Sequence, residues 1–144
     1  MSNTLSQRIG FTFKVWFIAV LVNTAIGTAF LALFLGPGFV PLLLQYGAGL
    51  GLIVSSPALL VIPLTLALCV RKGLSGVWTY RVMIGVAAIL GLTGWLIYMA
   101  FFKEFNEENY VLLAIAIVSG VVAVCTQQKK LYALGDYSSL AEKG

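Results

Sequence analysis

The sequence predicts an all-α integral membrane protein of four transmembrane helices, with both termini cytoplasmic and a kinked second helix. Three observations carry that expectation. Of 144 residues, 60% are hydrophobic and 10% charged, with a mean hydropathy of +1.01, whereas a soluble domain is about a quarter charged. The apolar residues fall into runs of about 20, enough to cross a hydrocarbon core of about 30 Å. Of the nine Lys and Arg residues, all but Lys103 lie on one side of those runs, and the positive-inside rule makes that side cytoplasmic.

The first span is read as 15–35, preceded by Arg8 and Lys14 and stopped by Gly36-Pro37-Gly38, where proline ends the helix and the glycines permit reversal. The stretch 39–70 is too long for one untilted span, about 48 Å as a helix. It divides into an interfacial segment, 39–45, and a crossing segment, 46–70. Gly47-Ala48-Gly49-Leu50-Gly51 offers a break or a close packing face, and Pro57 and Pro63 are expected to kink the helix. The third span is 77–102 and the fourth 109–126. The polar stretch Lys103 to Asn109 joins them, with Asn106 as an N-cap and Glu107 and Glu108 in the first turn. Trp16, Trp78 and Tyr80 fall at the inner boundary, and Tyr46, Trp95, Tyr98, Phe101, Phe102 and Tyr110 at the outer one, as interfacial belts do. The chain reads as a single four-helix domain with a short cytoplasmic tail, 127–144. The first helix is read as an uncleaved anchor.

The chemistry is bounded by absences. Without a histidine the chain lacks the commonest metal ligand and the usual base near neutral pH. Cys69 and Cys125 are far apart and form no CxxC. None of the five acidic residues falls within an apolar run, so no carboxylate proton relay is expected. Catalytic residues, metal ligands and cofactors are therefore predicted to be none, and nucleic acid is not an expected partner. No loop is long enough to fold a soluble domain.

What remains are contact residues. Asn23 is the most polar point at mid-depth of the first span and must face other helices, as interhelical glue or as part of a ligand path. Gly47/Gly51, Ala87/Gly91 and Ala116/Gly120 repeat a small-xxx-small spacing that forms flat stripes for close helix approach, within the bundle or against another subunit. Ser55-Ser56-Pro57 reads as a proline kink with serine compensation rather than a transporter's broken helix, because no matching proline interrupts the other half. Arg71, Lys72, Arg81, Lys129 and Lys130 suit anionic lipid headgroups at the inner leaflet. Tyr132 and Tyr137 make the tail more apolar than a free tail requires and suggest docking on a partner or on the membrane.

These features point first to a small non-catalytic integral-membrane subunit or scaffold partner of a larger complex. Its partners would be membrane lipids together with other membrane subunits or copies of itself, in a bacterial inner membrane. The alternative is a homo-oligomeric transporter or pore for a small or apolar solute. A lipid-modifying enzyme ranks third, since Glu104, Glu107, Glu108 and Asp136 would be its only carboxylates near a boundary.

Overall fold

Proline and glycine placement sets where helices stop. In a computed structural model, residues 2–102 and 107–133 are described, and the regular structure among them is entirely helical. Helix α1, Ser2–Leu35, begins well before the expected span. No proline or turn pair precedes Pro37, so nothing interrupts the ladder, and Arg8 and Lys14 ride on the same helix as the span. At about 1.5 Å per residue α1 is about 51 Å long, more than a bilayer core requires. Gly36, at φ 93°, ends it as the Gly-Pro-Gly signal predicts.

Two helices meeting at Pro57 make up the second apolar stretch. A single 3₁₀ turn, Pro37–Phe39, leads directly into α2, Val40–Ser55, so residues 40–45 belong to the helix and form no separate segment. The run Gly47 to Gly51 stays helical, and Gly47 and Gly51 of it pack closely on α1. The helix is interrupted at Pro57, and α3 is Ala58–Arg71; Pro63 lies inside α3 without ending it.

Ser56 and Pro57 keep helical dihedrals, so the interruption is a loss of hydrogen bonds rather than a reversal of the chain. Pro57 has no N–H to give to the Ile53 carbonyl. That carbonyl instead accepts from the Ser56 N–H at 3.3 Å and the Ser56 hydroxyl at 2.8 Å. The predicted serine compensation is thus visible atom by atom.

α3 ends in a Schellman motif: the N–H of Leu74 bonds the Cys69 carbonyl and that of Gly73 bonds the Val70 carbonyl, with Gly73 at φ 61°. The connection to α4, Gly76–Phe102, is only four residues long. α5, Glu107–Thr126, opens two residues ahead of the expected span; Asn106, its expected cap, lies outside the described residues. After a turn at Gln127, residues 128–133 resume helix.

The helices form four antiparallel legs, α1, then α2 with α3, then α4, then α5. Segments Ser6–Leu35, Pro37–Ser55 and Gly76–Ala100 are long and apolar enough to cross a membrane, whereas the apolar parts of α3 and α5 are shorter. The tight core lies in one half of the bundle. Phe11 and Val15 of α1, Ala58, Ile62 and Leu66 of α3, Met83 and Ala87 of α4, and Ala123 and Val124 of α5 meet there, sealed by Leu131. α2 buries no residue. The half of the bundle that holds α2 is therefore loosely filled.

Candidate functional site

A cavity of about 450 Å³ lies between the legs, lined by all five helices and reaching the core residues Val15, Ala58, Ile62, Met83, Ala87 and Val124. A volume of this size suits a small lipophilic ligand. Its wall is mostly apolar, with Trp16, Tyr46, Trp95 and Tyr98 and several glycines among the aliphatic side chains, and among the described residues no charged one lines it. The polar exceptions include Asn23, Thr24 and Thr28 on α1, Ser55 on α2, Thr93 on α4 and Ser119 on α5.

Most of these hydroxyls are spent on their own helix. Thr93 donates to the Ile89 carbonyl at 2.8 Å, Ser119 to Ile115 at 2.6 Å, and Ser55 to Gly51. Ser55 also accepts the Trp16 indole N–H at 2.8 Å, tying α1 to the end of α2. Thr24 differs. It is 8% exposed, and its Oγ1 is enclosed without a hydrogen-bond partner. Thr28, one turn on, is equally buried, and Asn23 is half-buried. Neither side chain has a hydrogen bond to another described residue. Asn23, expected to be glue or part of a ligand path, lines the cavity and bonds no neighbouring helix among the described residues.

The three small-residue stripes serve contacts within the chain. A Cβ on Gly47 would touch Thr24 Cγ2 at 3.5 Å, and one on Gly51 would touch Val20 at 3.5 Å, so this stripe seats α2 on α1. A Cβ on Gly91 would come to 3.0 Å from the backbone of Ile117, and one on Gly120 to 3.2 Å from the Ala87 carbonyl. Ala87/Gly91 and Ala116/Gly120 thus interlock α4 with α5, and Gly49 faces open space.

Tyr132, expected to dock on a partner or the membrane, packs on its own chain. Its backbone lies 2.7 Å from where a Gly76 Cβ would be, its ring meets Tyr80 edge-on at 5.7 Å, and its hydroxyl accepts from Gln128 at 2.7 Å. Tyr137 lies outside the described residues.

The same end of the bundle gathers the basic residues. Arg71 and Lys72 close α3, Arg81 lies over the Trp78 ring at 5.2 Å, and Lys129 and Lys130 follow α5, all exposed. Lys14 joins Lys129, Lys130, Gln127 and Gln128 around a shallow notch of about 410 Å³. Lys14 holds the Lys130 ammonium below the ordinary lysine range, first through a direct side-chain contact and then through like-charge repulsion. No group of three metal-ligating side chains occurs among the described residues.

Compared with protein-family models, curated proteins and solved structures, the chain matches none. The site must therefore be read from its own geometry. Sequence reasoning missed Thr28, Lys14 and the Trp16–Ser55 bond. A readable signal existed for the first, because Thr24 and Thr28 are four apart, as are Gly47 and Gly51. Lys14 was hidden by its distance in sequence from Lys130.

Proposed function

We propose that this protein is a non-catalytic, four-span membrane protein that takes a lipophilic solute from the bilayer into its interhelical cavity. The cavity carries the reading: an apolar space of about 450 Å³ inside a small helical protein offers a binding volume, and among the described residues no charged side chain or metal-ligating group of three lines it. Internal use of the small-residue stripes favours a solute site over those stripes as subunit contacts. The topology proposed is both termini in the cytoplasm of a bacterial inner membrane, because Arg8, Lys14, Arg71, Lys72, Arg81, Lys129 and Lys130 share one end of the antiparallel bundle.

The test is native mass spectrometry of detergent-extracted protein incubated with hexadecane. Wild type is expected to retain one hexadecane, and Gly27→Leu, which puts a side chain into the lined space where a Cβ would meet nothing within 4 Å, is expected to lose it. Absence of any adduct on wild type would reject the reading. A second reading, a scaffold subunit, is favoured by one observation: α2 buries none of its residues and leaves Leu42, Tyr46, Leu52 and Ile53 exposed. Unlike chains in the same spectra would support it.

A further inference from the structure

At the basic end of the bundle, Lys14 of α1 and Lys129 and Lys130, just beyond α5, line one shallow notch of about 410 Å³ together with Gln127 and Gln128. Their approach is set by the backbone and not by the reach of long side chains alone. Val15, next to Lys14, is buried, and Leu131, next to Lys130, is fully buried; both belong to the same core cluster, which fixes the two segments side by side. The Lys14 and Lys130 side chains meet there, and this contact, with the like-charge repulsion it brings, holds Lys130 below its ordinary range. Among the described residues no anion is supplied: their only carboxylates, Glu107 and Glu108, begin α5 at the opposite end. Two ammonium groups held together without a counter-charge repel, whereas an anion between them accepts charge-assisted hydrogen bonds from both. Arg71 and Lys72, exposed at the end of α3, carry the same sign at the same end of the bundle but lie outside the notch.

We infer that the notch of Lys14, Lys129 and Lys130 binds a single phosphate group, carried by an anionic lipid at the membrane surface or free in the aqueous phase. Lysine offers a compact charge and three rotatable donors, which suit the several oxygens of a tetrahedral phosphate. The notch opens where the spans α1 and α5 give way to their basic ends, the level at which basic pockets between membrane helices take lipid headgroups. This site is separate from the interhelical cavity and stands whether or not a solute enters there.

The probes are phosphatidylglycerol, phosphatidylcholine of identical acyl chains, whose phosphate is offset by its own ammonium, and inorganic phosphate. Each is read by native mass spectrometry of the intact protein in detergent. Retention of phosphatidylglycerol over phosphatidylcholine assigns the phosphate to a lipid; retention of inorganic phosphate without that preference assigns it to the aqueous phase. In either case Lys14→Gln and Lys130→Gln are each expected to weaken retention about fivefold, the share of one basic group, and Lys14→Arg to keep it. Lys72→Gln, which removes the same charge at the same end but outside the notch, is expected to leave retention unchanged. Circular dichroism and monodispersity confirm that each variant is folded. Neither a lipid preference nor a phosphate adduct on wild type, or an equal loss in Lys14→Gln and Lys72→Gln, overturns the site.

Discussion

Gly91 and Gly49 show how differently two glycines in one apolar chain are constrained. An alanine methyl at Gly91 would sit 3.0 Å from the Ile117 backbone, which cannot swing aside as a side chain can, whereas at Gly49 it would meet nothing. Gly91→Ala is expected to lower stability in detergent by about 1–3 kcal/mol, the usual cost of overpacking. Gly49→Ala is expected to be neutral or slightly stabilising through better helix propensity. Thermal unfolding of both variants checks the pair. At the basic end, Lys130 gives a pH prediction. Its ammonium is held below the ordinary lysine range by Lys14, so folding brings two like charges together, and the repulsion is relieved as pH rises through the lowered value. Lys14→Gln is expected to return Lys130 towards its ordinary titration, read by NMR of the side-chain signals. The sequence alone displays both glycines and both lysines. It does not show which glycine meets backbone, or that two lysines more than a hundred residues apart share a notch, because each depends on which helix lies beside which.

Between elements, three joints hold the arrangement. The Trp16–Ser55 hydrogen bond ties α1 to the end of α2 just before the break at Pro57. Trp16→Phe removes the donor while keeping most of the ring; the expected loss is about 0.5–1.5 kcal/mol, measured by unfolding in detergent. Leu131, fully buried, pins residues 128–133 against the core. Leu131→Ala is expected to release that segment and to expose Lys129 and Lys130 to faster tryptic cleavage; unchanged cleavage would show that the segment is held by Tyr132 instead. The third joint is the break itself. Pro57 and its serines were legible in the sequence, since a missing N–H and nearby hydroxyls are properties of residue type. That Pro57 ends a helix while Pro63 is absorbed into one was not legible, for local chemistry treats the two alike and only packing of the whole leg separates them.

Across the whole molecule, packing is uneven. The half at the basic end is filled by α1, α3, α4 and α5, while α2 seats on α1 through Gly47 and Gly51, buries none of its own residues and borders the cavity between the legs. The proposed topology makes a direct prediction: a green fluorescent protein fused after Gly144 is expected to fluoresce, and alkaline phosphatase at the same place to stay inactive. The reverse pattern would invert the orientation. The membrane-compatible helices and the basic end were determined by the sequence itself, because hydrophobic length and the energetic cost of charge in hydrocarbon act residue by residue along the chain. The cavity and its unpaired Thr24 hydroxyl were decided only by tertiary structure. A void is the space that several helices fail to fill together, and whether a hydroxyl finds a partner depends on neighbours that no single stretch of sequence specifies.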